Sequence, residues 1–449
     1  MRLFKPQTWI RAALLAVPVV AVQLAVSQVQ SDYGVSALSS AMAAEDKPKR
    51  KITQETRRTP ALRNKVYEKL AEAQEAAEAK NWAAARKILD GMIGAGGKKA
   101  LNSYELANVY NLYAFVHYSV EDYASALRSY EQVVAQPDIP LAMEINTRYT
   151  IAQLHFVQED WKKGITALLA WFDTTETPPA SAYVMLAQGY YQVKDYKKAL
   201  FNVEKAISIY KEKGKVPKEQ WYNLARFLYF DSDDVNSAVR VLEELLKYYP
   251  KKQYWVQLSH MYGEQKKEKK QLAAMDTAYV QDMLDKGTEQ ITMAYLYLNA
   301  EVPYRAAVVM DKGLKDKSID PKSKNYELLG NAWRQAQEVK NAIPAMEVAA
   351  AKSDSGELYA RLGNVYLDGD QFKKAITAIN KGLSRGGVKR SDTARLVLGM
   401  AYFNDKQYTN ARKAFTTASK DKRSKKYANQ WIKYLNSELD RQKKLKADM

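Results

Sequence analysis

Leu398-Gly399-Met400-Ala401-Tyr402, followed by Ala411-Arg412-Lys413-Ala414-Phe415-Thr416-Thr417-Ala418, decides the fold; both runs lie between Asp392 and Lys425. Leu398 and Tyr402 are four residues apart and share one helix face. Gly399 has no Cβ, so a neighbouring helix can come close there. Ala411, Phe415 and Ala418 form a second stripe at i, i+4, i+7, with two small residues flanking a large one, a shape that lets paired helices interlock. Asn404-Asp405-Lys406-Gln407 supplies a polar turn between the stripes. One such hairpin cannot bury both of its faces, so it requires neighbours.

The neighbours are present. Leu362-Gly363, Tyr366, Ala375 and Ile379 repeat the pattern, as do Leu329-Gly330, Trp333, Ala342, Met346 and Ala349. Earlier copies run through Tyr297, Ala306 and Met310; Leu258, Tyr262 and Ala278; Tyr229, Ala238, Leu242 and Pro250; and Leu186, Tyr190, Ala199 and Ala206. Fainter ones surround Trp161-Lys162, Tyr123-Ala124 and Trp82-Ala83. The spacing resembles the tetratricopeptide repeat, a helix-turn-helix unit of about 34 residues. The resemblance implies an all-α, right-handed superhelical solenoid of about ten repeats. The expected organisation is a leader at 1–43, a basic flexible tail at 44–65, the solenoid at 66–425, and a capping helix with a charged end at 426–449. Tyr427, Trp431 and Tyr434-Leu435 supply the apolar stripe of that cap.

A repeat array grows its core by stacking, so 449 residues need not mean several globular domains. The net charge is +18, which suits either a solvated lysine-rich exterior or an acidic partner. There is no cysteine, which excludes disulfides, thiolate metal sites and thiol nucleophiles.

Arg2, Lys5 and Arg11 precede an apolar run from Ala12 to Val26, the layout of a secretory signal. Ala41-Met42-Ala43 offers a cut before Ala44, and Ala25-Val26-Ser27 a competing earlier one. The alternative is an uncleaved anchor in the inner membrane. The expectation is export to the periplasm by cleavage. The following stretch, from Glu45 to Lys65, is rich in lysine and arginine, and suits an anionic envelope surface or acidic protein as well as a plain spacer. A nucleic-acid partner does not fit that compartment.

Gly91 to Lys99 superficially suggests a phosphate loop, but Met92 and Lys99 occupy the positions of the first glycine and the hydroxyl, and no strand precedes it. It reads as a link between repeats, as do 173–179, 211–217 and 384–387. His117, His155 and His260 are far apart in the array and have no cysteine or paired histidine beside them, so they read as packing or groove residues. No nucleophile elbow or dinucleotide fingerprint is present. The expectation is a non-enzymatic protein with no catalytic residues, cofactor, metal or small-molecule substrate.

In tetratricopeptide repeats the first helix of each unit lines the concave side, with ligand-facing residues at its second, fifth, ninth and twelfth positions. Carried over, these positions imply a partner-binding set of Phe115, Tyr118, Tyr149, Phe156, Tyr191, Phe227, Phe230, Tyr295, Asn331, Asn364 and Phe403. Rings interspersed with amides such as Asn108 and Asn223 suit an extended peptide or helix; the competing reading is that the rings pack between repeats. A clamp for a chaperone's C-terminal carboxylates does not fit, because Lys324 is followed at the companion positions by Glu327 and Ala360.

A narrower likeness rests on Thr59-Pro60-Ala61-Leu62-Arg63-Asn64-Lys65-Val66-Tyr67-Glu68, Asn102-Ser103-Tyr104-Glu105, Tyr254 to Gly263, Val302-Pro303-Tyr304 and Leu398 to Asn404. These phrases are similar to exported repeat proteins of gammaproteobacteria that accompany TonB–ExbB–ExbD energy-transduction systems. That resemblance implies a periplasmic scaffold helping to couple proton-motive force to iron-carrier uptake, with TonB-system subunits as partners. The rivals are a scaffold for cell-wall or outer-membrane assembly, and a hydrolase of envelope polymers.

Overall fold

The computed structural model describes residues 60–447 except 95, 98 and 99. The expected leader and most of the basic tail lie outside the described residues. Among these, the secondary structure is helical throughout, with no strand.

Ten hairpins follow one another: α1 (Asn64–Glu78) with α2 (Trp82–Ile93), α3 (Ser103–Ser119) with α4 (Tyr123–Ala135), α5 (Leu141–Val157) with α6 (Trp161–Phe172), α7 (Ala180–Gln192) with α8 (Tyr196–Glu212), α9 (Glu219–Asp231) with α10 (Val235–Tyr248). The series continues with α11 (Lys252–Glu264) and α12 (Glu268–Val280), α13 (Gly287–Asn299) and α14 (Pro303–Lys315), α15 (Ser323–Gln335) and α16 (Val339–Ala351), α17 (Glu357–Asp368) and α18 (Phe372–Arg385), α19 (Ser391–Asn404) and α20 (Tyr408–Ala418). The long α21 (Lys425–Ala447) closes the array. Each helix packs on its hairpin partner and on the adjacent hairpin, the nearest-neighbour arrangement of a solenoid. The expected all-α repeat fold is the fold observed.

The hairpins share one turn. Three residues separate the two helices, and the middle one is left-handed in all ten, from Lys80 to Lys406, with φ between 55° and 63°. None of these ten is glycine. The conformation is held by paired backbone bonds: in the fourth hairpin, Asp195 N–H donates to the Tyr190 carbonyl (2.8 Å) and Lys194 N–H to that of Tyr191 (3.0 Å). This pair of bonds closes the first helix as a Schellman motif and aims the chain back along it. In the first five hairpins the residue after the left-handed one also caps the second helix: Asn81, Asp122, Asp160, Asp195 and Asp234 each accept a bond from a first-turn amide. The later five place Lys267, Val302, Glu338, Gln371 and Gln407 there, with no side-chain cap. Lys267 has φ −91° and ψ 64°, close to the −83° and 74° of Asp234. Lys267→Asp is therefore expected to add about 0.5–1 kcal/mol, read as a higher denaturation midpoint. An unchanged or lower midpoint would show that the missing cap is met in some other way.

The close approach expected at Gly399 is present: a Cβ there would stand 2.5 Å from the Phe415 ring. Leu89, Leu168, Leu242, Met293, Met346 and Phe415 are among the side chains that fill the seam between helices. At the C-terminus, Ala428 and Leu435 of α21 are buried, and the Trp431 ring stacks on Phe415 at 5.5 Å.

Several boundaries differ from expectation. Arg63, assigned to the flexible tail, caps α1, and its guanidinium grips the fully buried Glu105 of α3 at 2.6 and 2.8 Å. Ser384 and Arg385, expected in a loop, complete α18, and Lys211 and Glu212 complete α8. Both helices continue until a glycine with positive φ, Gly386 (79°) or Gly214 (65°), supplies the stop. Gly91, Met92 and Ile93 likewise belong to α2.

Candidate partner-binding surface

The first helices of the hairpins, α1, α3 and so on to α19, carry the residues expected to meet a partner. Their rings sort by burial. Phe115, Phe230 and Tyr295 are 45%, 38% and 52% exposed. Tyr118, Tyr191 and Phe227 are half-buried. The Tyr191 and Phe227 rings meet edge to face at 5.7 Å, bridging α7 and α9. Tyr118 leans edge-on against Tyr123 of its own hairpin at 5.4 Å. Asn331 and Asn364 are half-buried on α15 and α17.

Three of the expected residues serve packing instead. Tyr149 is buried, with its ring 4.5 Å from Trp171. Phe156 fills the space left by two glycines: its ring lies where Cβ atoms on Gly164 and Gly189 would be. Phe403 is covered by the capping helix, 5.8 Å from Trp431 and 5.3 Å from Tyr434. A position rule for first helices does not register whether the adjacent hairpin supplies a hole or a lid, so it does not distinguish these three.

Polar rungs join successive first helices. Asn223 donates to the Tyr254 hydroxyl (2.9 Å), which donates to Glu219 (2.6 Å), and Lys251 pairs with the same carboxylate at 2.7 Å. Arg226 donates to Gln257. Arg334 reaches Asp368 at 2.6 Å and Arg361 reaches Glu327 at 2.5 Å. Glu327, which breaks the chaperone-tail clamp pattern, is thus a structural partner of the next repeat.

A second set of contacts was not anticipated from the sequence. Tyr113, Tyr229, Tyr262, Tyr297 and Tyr366 each donate their hydroxyl to a carboxylate on the preceding second helix: Asp90, Glu204, Glu243, Asp276 and Glu347. Burial, followed by these bonds, pushes the Tyr229 and Tyr297 phenols up to about 12. Four of these tyrosines sit at the repeat's tyrosine position, which therefore acts as a latch between repeats as well as a packing ring. The signal lies in the sequence as an acidic residue about twenty positions upstream, but it becomes visible only once the repeat register is known.

His155 is buried, His117 half-buried and His260 exposed. Burial lowers the pKa of His117 and His155. Among the described residues, no group of three or more histidine, aspartate or glutamate side chains could hold a metal ion. No described helix is long and apolar enough to cross a membrane.

The tetratricopeptide repeat family matches residues 180–213 and 360–424. No curated protein matches the chain. Similar solved structures include MamA (21% identical, 38% of this chain and 97% of that one, TM-score 0.33) and the yeast Sti1 TPR2AB-domain:pHSP90 complex (13%, 58% and 98%, 0.32). The APC/C hetero-tetramer Cut9-Hcn1 is 13% identical, over 82% of this chain and 89% of that one, with TM-score 0.31. At these scores the superpositions bear on no individual residue here. The two family matches fall on hairpins α7–α8 and α17–α20, which are similar to tetratricopeptide repeats and share their turn and their stacking with the rest of the array.

Proposed function

We propose that this protein is a non-enzymatic scaffold that captures a protein partner along its first helices. The observation that carries the reading is the exposure of Phe115, Phe230 and Tyr295 on those helices, while neighbouring rings are drawn into packing. Exposed rings backed by a rigid stack bury a partner's apolar side chains at little entropic cost, and amides beside them can satisfy its backbone. From the likeness of its phrases to exported accessory proteins, we place it in the periplasm, within a TonB–ExbB–ExbD apparatus for iron-carrier uptake. The second reading, a scaffold in cell-wall or outer-membrane assembly, draws on the basic stretch after the leader, which suits an anionic polymer.

Crosslinking in envelope extracts followed by pull-down should recover TonB-system subunits. Recovery of cell-wall enzymes alone would replace the transport reading with the second. Deletion should impair growth on iron carriers; normal uptake would count against the transport role. For the surface itself, the triple substitution Phe115→Ala, Phe230→Ala, Tyr295→Ala should weaken capture of the recovered partner about tenfold or more, and shift the melting temperature little. Tyr149→Ala should do the reverse, costing about 3 kcal/mol of stability. Equal partner binding by the triple variant would exclude this face.

A further inference from the structure

We propose that the outer face of the ninth hairpin is a second docking surface, one that takes an acidic peptide segment of a partner protein. It is separate from the exposed rings Phe115, Phe230 and Tyr295. Residues 371–390 contain six lysines and arginines and no aspartate or glutamate. The helix α18 within them borders an open groove of about 340 Å³ floored by Tyr359 and Leu362 of α17.

The cations here are positioned. The Lys381 ammonium sits 4.3 Å from the centre of the Tyr359 ring, and the Arg385 guanidinium 5.2 Å from the same centre. Lys374 stands 5.5 Å over Tyr366. Cation–π contact holds the charges over the rings without neutralising them. Among the described residues, none of Lys373, Lys374, Lys381 and Arg385 has a carboxylate partner; Arg385 donates to the Ser353 carbonyl at 2.9 Å. Glu347 of α16 accepts a bond from the hydroxyl of Tyr366, one of the groove's lining residues, and no carboxylate lines the groove itself among the described residues. In five hairpins the second helix offers an acid to the next tyrosine, whereas α18 offers Asn380, whose side-chain amide reaches the Tyr402 hydroxyl at 3.2 Å. That exchange removes the acid that elsewhere tempers the outer face.

Spacing favours a peptide over a single phosphate. Lys374, Lys381 and Arg385 share one stripe of α18, at offsets of seven and four residues, so they are strung roughly 10 Å and 6 Å apart along the helix instead of converging. Carboxylates at alternate positions of an extended strand share one face and repeat at roughly 6.6 Å, which meets the shorter step directly and brackets the longer one between one and two repeats, within reach of flexible lysine side chains. The partner is therefore a segment with acidic residues at alternate positions.

The test uses the full chain and a fluorescein-labelled peptide of alternating glutamate and alanine, about twelve residues long, followed by anisotropy at low and physiological salt. Binding should weaken with salt. It should fall about tenfold in Lys374→Glu/Lys381→Glu, and less than twofold in Lys87→Glu/Lys162→Glu, which changes net charge equally at exposed, unpaired sites. Lys374→Gln/Lys381→Gln, checked by circular dichroism, provides the same test if the reversal variant unfolds. Equal losses in both glutamate variants, or no binding by the native protein, would overturn the proposal. Binding to phosphatidylglycerol vesicles without binding to the peptide would also overturn it, in favour of a lipid surface.

Discussion

Gly356→Ala is expected to cost about 3 kcal/mol, the upper range for forcing extra volume into a closed contact. A Cβ at this position would lie 2.0 Å from the Gly382 carbonyl oxygen and 2.6 Å from that of Gly386. Both neighbours are backbone, so no rotamer can move aside, and the whole of α18 would have to shift off the start of α17. The Gly356 amide also donates to Gly386 (2.9 Å), tying the hairpin's two ends together. Gly91→Ala is the informative contrast. Gly91 lies within α2 with nothing inside 4 Å of its added Cβ, so alanine there should stabilise by about 0.5–1 kcal/mol through helix propensity. Denaturation midpoints shifted in opposite directions are the expected result. Two shifts of the same sign would mean that the α17–α18 contact is looser than described.

The second large effect lies at the C-terminal end. Asp392, at the start of α19, is buried, and accepts bonds from Arg390 (2.8 and 3.0 Å), from Ser424 (2.7 Å) and from Arg423 (3.3 Å). It joins the last hairpin to the residues that open the capping helix. Asp392→Asn should release that helix at a cost of about 2–4 kcal/mol, since hydrogen bonds to a buried charge are among the stronger ones and the two arginines can still reach water. The Arg390 bonds, assisted by Ser424 and the Arg423 charge, hold the carboxyl far below its ordinary 3.8. Because the folded value is depressed, the contribution is present above pH 3.8 and is lost as pH falls further. Glu105 behaves alike at the other end: the Arg63 guanidinium and two backbone amides lower it to about 2. Its contribution fades below the ordinary 4.5 and is gone near 2. Hydrogen exchange at pH 3 against pH 7 should therefore show α1 and α21 loosening before the central hairpins. Uniform loosening would refute the idea that these two carboxylates pin the ends.

Ten hairpins and a terminal helix were legible from the sequence, because a helix face with Leu, Gly and Tyr at fixed offsets can be buried only by another of its kind. Helix ends were less legible where a loop-like run such as Ser384 to Gly387 begins inside a helix that keeps its bonds until a left-handed glycine. The candidate surface was legible in part. First-helix position selects Phe230 and Tyr295, which stay open, as well as Tyr149, Phe156 and Phe403, which do not.

What sequence alone determined is the class of object: an α-hairpin array without cysteine, its register set by local periodicity that each repeat carries within itself. What only the tertiary structure decided is which side chains are free. A ring's exposure depends on the hole or lid offered by residues dozens of positions away, as Gly189 does for Phe156 and Trp431 for Phe403. Likewise, a tyrosine becomes a latch only when stacking brings the preceding hairpin's acid to its hydroxyl. Those distances are set by how one hairpin sits on the next, and helical periodicity carries no information about that.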